Sequence, residues 1–321
     1  MRRGRALALL GALALAGLVA GVAVGSVPIP PGRLLAVLLS DDRSTEALIV
    51  WELRLPRALT AFAVGGALAL AGALIQVLLR NPLGDPYVLG VSGGASAAVL
   101  AALLVGLPVA WQPGLAFVGA AISMALVFAL GRRGRVLAVE RLLLTGVVVA
   151  TGWAALIGFA LSVAPPARLP GMLFFLMGDL SDAPSPWPAA LALAVGLPLA
   201  LAFARDLNLL TLGELRASTL GVETARLRVG LYLLSSLLTA IAVSTAGGIG
   251  FVGLVAPHMV RLAGGSDHRW VLPGSVLLGG ALLVLADTAA RVAVAPRQLP
   301  VGVLTALVGV PLFLYLLNRS R

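Results

Sequence analysis

Neither lysine nor cysteine occurs anywhere in the 321 residues. Without cysteine there is no disulfide framework, thiolate nucleophile or cysteine metal site. Without lysine there is no Walker A loop, whose Lys reaches the nucleotide phosphates. If ATP powers this protein, another chain binds it. Charge is also scarce: only 11% of residues are Asp, Glu, Lys or Arg, against about 25% in soluble domains. A soluble fold of this size needs a polar surface, and this chain cannot supply one. Within the apolar segments there is no paired Asp, Ser/His dyad or H-E-x-x-H pattern. No catalytic residue, metal site or cofactor is therefore expected, and the chain is read as no enzyme.

What is abundant is apolar. Hydrophobic residues make up 60% of the chain, and the mean hydropathy is +1.05. A membrane-spanning helix needs about 20 apolar residues. Ten candidate segments follow one another: Ala6–Gly25, Leu59–Leu79, Val88–Val109, Gly114–Leu130, Leu142–Val163, Trp187–Ala204, Val229–Val243, the short Phe251–Leu262, Val271–Val292 and Val301–Leu317. The expected fold is all-α, a polytopic bundle of about ten transmembrane helices forming one domain over residues 1–321. The first segment follows Met1-Arg2-Arg3-Gly4-Arg5 like a signal peptide, but with so many spans behind it an uncleaved anchor is expected. The 38 glycines are frequent within the spans, where small residues let helices approach closely.

The formal charge of +10 comes entirely from arginine on the basic side. These arginines sit in short clusters between apolar segments, which is a membrane pattern and not a nucleic-acid face. With the N-terminus in the cytoplasm, sixteen arginines fall inside, Arg135 and Arg321 among them, and seven outside, Arg43 among them. Both termini are therefore expected to be cytoplasmic. The outer seven remain numerous.

Three polar stretches interrupt the apolar background: Trp51-Glu52-Leu53-Arg54-Leu55-Pro56-Arg57; Arg80-Asn81-Pro82-Leu83-Gly84-Asp85-Pro86, running on to Ala95; and Gly250 to Arg261 around Pro257-His258. Asp267-His268-Arg269, Leu285-Ala286-Asp287 with Arg291, and Leu299-Pro300-Val301-Gly302-Val303 continue the series. In this order and spacing the chain resembles the FecCD family of importer permeases, which serves iron chelates, haem and vitamin B12. The resemblance runs from about Trp51 to the C-terminus. It implies a homodimer in a bacterial inner membrane, two ATP-binding subunits on the cytoplasmic side, a periplasmic or extracellular substrate-binding protein, and a metal chelate as cargo.

Physical reasons accompany each expected site. The polar gap 205–228 is the longest cytoplasmic stretch, and Leu209, Leu212, Leu215 and Leu220 recur at helical spacing before the stop signal Gly221. Such an amphipathic helix lies on a membrane or fits a partner's groove. Leu212, Gly213, Glu214, Ala217, Leu220 and Gly221 resemble the family's coupling segment, which implies docking on the ATPase; the small Gly213 and Ala217 would permit close approach. Arg54, Arg57 and Arg291 are, by resemblance, receivers of glutamates from the binding protein, a contact the planar guanidinium suits. Interfacial snorkelling and a local i, i+4 pair between Asp287 and Arg291 are the alternatives. Thr145, Gly146 and Thr151, with Asn81 and Pro82 at the inner mouth, are assigned to the path by resemblance. A Thr in a helix more often bonds its own backbone. His258 and His268 are expected to be structural. An ion-coupled secondary transporter is the competing function, with Asp287 as its candidate ionisable group.

Overall fold

The computed structural model describes residues 2–39, 44–133, 136–137, 139–181 and 185–319. Arg43, Arg135 and Arg321 of the arginine tally lie outside the described residues. The helices are α1 (Arg2–Ala23), α2 (Pro31–Leu39), α3 (Thr45–Leu48), α4 (Leu55–Leu78), α5 (Val91–Val105), α6 (Gln112–Gly131), α7 (Val139–Val163) and α8 (Leu169–Met177). After them come α9 (Trp187–Ala202), α10 (Ala204–Thr211), α11 (Glu214–Thr219), α12 (Thr224–Ala246), α13 (Val252–Gly264), α14 (His268–Val292) and α15 (Val301–Arg319). Among the described residues the only strands are the two-residue pair β1 (Arg132–Arg133) and β2 (Val136–Leu137).

Six continuous helical stretches are long and apolar enough to cross a bilayer, and α9 with α10 makes a seventh bent by 62°. Three shorter apolar helices, Val91–Val105, Val252–Gly264 and Val301–Tyr315, complete the set. Each of the ten segments expected from the sequence falls on one of these. The chain is an all-α, multi-pass membrane protein.

The core is organised around α4. From Ala63 to Leu78 every residue of α4 is buried, because α14, α12, α13, α9 and α1 surround it. A helix apolar on all sides is the kind that becomes a central post. Two glycines set how near its neighbours come. At Gly72 an added Cβ would strike the carbonyl of Gly253 in α13, and at Gly65 that of Gly279 in α14. Here the absence of a side chain is what permits backbone-to-backbone packing.

The second span begins earlier than expected. Trp51–Arg57 is not a stretch outside the helix: a π-helical turn, Ile49–Arg54, runs directly into α4, and Thr45–Leu78 forms one helical stretch. The opposite extreme is α7, of which only Leu142, Gly146 and Ala160 are buried. Leu144, Val148 and Phe159 along it are 65–70% exposed.

Candidate coupling and docking sites

The segment 205–228 does not form the single helix that its leucines suggest. It breaks into α10 and α11 at Leu212-Gly213, where Gly213 takes φ +110. A Cβ is costly there, and glycine alone tolerates it readily. Gly221, at φ +87, lies just beyond α11 and turns the chain toward α12. The break places Leu212, Leu215 and Leu220 on the surface, 56%, 79% and 56% exposed. Ala217 corrects the expectation: it is fully buried and packs into the core, so its smallness serves the fold and not a contact face. Glu214, its side chain 41% exposed, reaches back to the bundle. Its Oε2 accepts from Arg228 Nη2 at 2.6 Å, tying α11 to α12, while Oε1 takes a long 3.5 Å contact from Thr224 Oγ1.

At the far end of α14 stand Arg54, Arg57 and Arg291. By resemblance they are receivers for the binding protein, with snorkelling or a local Asp287–Arg291 pair as alternatives; Arg54 and Arg291 are 4% and 6% exposed. The reason is the C-terminus of α1, whose last carbonyls lack helical partners. Arg54 donates to the carbonyls of Val22 at 3.1 Å and Ala23 at 2.9 Å, and also to that of Val27. Arg291 donates to the carbonyl of Gly21 at 2.9 Å. Two cations thus sit on the negative end of the α1 dipole.

Asp287, 1% exposed, balances the cluster. Arg57 Nη2 lies 2.7 Å from its Oδ1, and Arg57 Nε 3.0 Å from both carboxylate oxygens. Arg291 Nε lies 3.2 Å from Oδ2, the i, i+4 pair read from the sequence. Arg57 also donates to Gln298 Oε1 at 3.0 Å. Above these groups opens a cleft of about 360 Å³ whose lining includes Arg54, Arg57, Arg291, Glu52, Ser181 and Gln298. Three guanidiniums stand against two carboxylates, Asp287 beneath and Glu52 in the lining, which leaves a positive balance of one, with Arg54 and Arg291 as the floor.

The residues assigned to a path fall in two places. Thr145, Gly146 and Thr151 lie on α7. Thr145 is half-buried, and Thr151 is exposed and donates to its own helix at the Val147 carbonyl, 2.9 Å away. Gly146 is buried against the carbonyl of Val88. Asn81 and Pro82 form the exposed turn after α4, where Asn81 Oδ1 accepts from Leu83 N at 2.9 Å. Beyond it Asp85 accepts from Tyr87 N at 2.7 Å, and the Tyr87 hydroxyl accepts from Ile249 N at 3.0 Å. Burial pushes the Asp85 carboxyl up, and the Tyr87 hydrogen bond opposes this only in part. His258, buried, meets the ring of Phe313 edge-on at 5.9 Å.

Sequence reasoning missed two features. The capping contacts of Arg54 and Arg291 on the end of α1 join residues 31, 32 and 270 positions apart, and no local spacing reports them. The Arg57–Asp287 pair likewise spans 230 positions. The one available signal was the i, i+4 spacing of Asp287 and Arg291.

Comparison with known proteins agrees with this architecture. A model of the FecCD transport family matches residues 13–319. The Fe(3+) dicitrate transport system permease protein FecD of Escherichia coli K12 is 42% identical over 316 residues, 96% of this chain and 97% of that protein. The hemin transport system permease protein HmuU of Yersinia pestis is 42% identical over 285 residues, 85% of this chain and 84% of that one. A solved structure described as an inward-facing conformation of a metal-chelate type ABC transporter has a TM-score of 0.86 at 30% identity, covering 98% of this chain and 99% of that one. This chain belongs to the FecCD transport family, the permeases of ABC importers.

Proposed function

We propose that this chain is the membrane-spanning subunit of an ATP-driven importer in a bacterial inner membrane, carrying a metal chelate while partner subunits hydrolyse ATP. The observation that carries the reading is the exposed trio Leu212, Leu215 and Leu220, raised on a short polar segment that is tied to the bundle through Glu214 and Arg228. Apolar side chains held out on a polar segment mark a contact face. Its occupant is the ATPase, and Gly213 and Gly221 shape the knuckle while Ala217 anchors it. The arginine-rich segment supports a cytoplasmic location for this end and for both termini. The whole chain acts as one transmembrane domain, with residues 205–228 as its coupling segment.

At the other end the positive cleft receives acidic side chains of a substrate-binding protein. Arg57 reaches it from the edge; Arg54 and Arg291 act from the floor through their field. The bare face of α7 is covered by a second copy across the dimer axis, where Thr145, Gly146 and Thr151 border the path and Asn81-Pro82 lies at its inner mouth. A ferric siderophore, haem or cobalamin is the class of cargo. The kinship with permeases for iron dicitrate and hemin supports that range.

An ion-coupled transporter draws support from one observation, the burial of Asp287. Yet both its oxygens are held by arginines near the C-terminal end of α14, leaving no free carboxylate for a coupling ion. Proteoliposomes containing the permease, its ATPase and its binding protein, offered radiolabelled ferric dicitrate, haem and cobalamin in turn, test the cargo. Uptake of one chelate is expected; uptake of none removes the metal-chelate assignment.

A further inference from the structure

α10 is not rigidly continuous with the elements on either side. The chain bends by 62° where α9 gives way to it, and it breaks again at Gly213. What fixes its orientation is a polar clamp. Asn208 Oδ1 accepts from the backbone N–H of His268 at 2.9 Å and lies 2.7 Å from His268 Nδ1. Asn208 Nδ2 donates to Asp267 Oδ1 at 3.0 Å. That same oxygen caps the start of α14 by accepting from Arg269 N at 3.0 Å. An amide meets this set with two separate atoms, Oδ1 accepting from the His268 donors while Nδ2 donates to the carboxylate. The arrangement also fixes the His268 tautomer, with the proton on Nδ1. His268 is 2% exposed, and the three bonds of Asn208 are part-buried, so this side of the clamp is partly sheltered from water, which strengthens its hydrogen bonds. Buried Leu207 and Leu210 add packing to the same helix.

We propose that Asn208 is a positioning residue for transport: it joins the coupling segment to the N-terminus of α14, so that displacement of one is displacement of the other. This rests on the reading of 205–228 as the ATPase contact. From His268 to Asp287 the helix runs about 28 Å at 1.5 Å per residue. One continuous element therefore connects the ATPase-facing knuckle with the carboxylate at the arginine cleft. A push delivered at Leu212–Leu220 reaches α14 through the Asn208 amide, while the Glu214–Arg228 pair delivers it to α12.

The test uses the full assembly of permease, ATPase and binding protein, and reads uptake per ATP hydrolysed. In Asn208→Ala the ATPase still co-purifies and hydrolyses ATP, but uptake per ATP falls roughly fivefold or more, the range of an ordinary coupling between sites. Asn208→Asp sets a carboxylate against Asp267 and does the same. Adding Asp267→Asn to that variant removes the like-charge contact while the new amide keeps an oxygen for Arg269 N, and it recovers part of the uptake per ATP. An unchanged ratio in Asn208→Ala, or no recovery in the double variant, overturns the proposal. If Asn208→Ala does not fold, the Asp variants decide. If even the unaltered permease fails to retain the ATPase, the functional reading fails, and the clamp is judged on the permease alone. The chain has no cysteine of its own, so spin labels at Arg205→Cys and Arg269→Cys report the α10–α14 separation. Substitution of Asn208 broadens that distribution if the clamp holds the two together; an unchanged distribution removes it.

Discussion

Asp287 is the residue on which the arginine cluster depends. It alone neutralises Arg57 and Arg291 from within the bundle, and its side chain is 1% exposed. Asp287→Ala leaves two sheltered cations unpaired, a change that costs about 3–5 kcal/mol, and it lowers the melting temperature of the purified protein in detergent. Asp85 behaves oppositely. Its folded-state pKa is raised above the ordinary 3.8, chiefly by burial. Its contribution to stability is therefore complete below the ordinary value and is lost as the pH rises through the folded value. Asp85→Asn keeps the cap on Tyr87 N without the charge. It melts at the same or a higher temperature than the parent at pH 8, and the advantage shrinks on acidification. An advantage that instead grows toward acid pH contradicts the burial argument.

At the scale of elements, length and hydropathy made the spans legible, because crossing a bilayer demands some 20 apolar residues whatever their packing. The central place of α4 was not legible: its composition differs little from that of α7, yet one is sheathed and the other bare. Partner helices distant in sequence make that difference. The coupling segment shows the complementary limit. Leucine spacing gave one helix across Asn208–Leu220, but spacing does not report a φ of +110 at Gly213, where the helix breaks; within α11 exposed Leu215 and buried Ala217, two residues apart, then lie on different faces. Likewise the fold brings the three arginines together, but the burial of Arg54 and Arg291 follows from the unsatisfied carbonyls of α1 and that of Arg57 from Asp287. Two outcomes follow for elements. Leu215→Glu, at a position 79% exposed, leaves the melting temperature nearly unchanged. It weakens retention of the ATPase by about 1–2 kcal/mol, as loss of an interface anchor does, read by co-purification or by titration of the ATPase. Gly72→Ala pushes α13 away from α4 at Gly253 and destabilises the bundle by about 1–3 kcal/mol, the range for overpacking, read by thermal unfolding.

At the scale of the molecule, the two ends of the bundle do different work along shared helices. One end carries an apolar knuckle that asks for a partner, and the other a positive cleft built on a capped helix terminus. α14 reaches both. Without lysine this chain holds no Walker A loop, so under the proposed function energy enters through a protein contact. The most direct measurement is uptake of chelate into proteoliposomes holding the permease and binding protein, with and without the ATPase, and with ion gradients imposed or collapsed. Uptake that requires both the ATPase and ATP, and that is indifferent to ionophores, is the predicted result. Uptake driven by an imposed ion gradient in the absence of the ATPase would contradict the account.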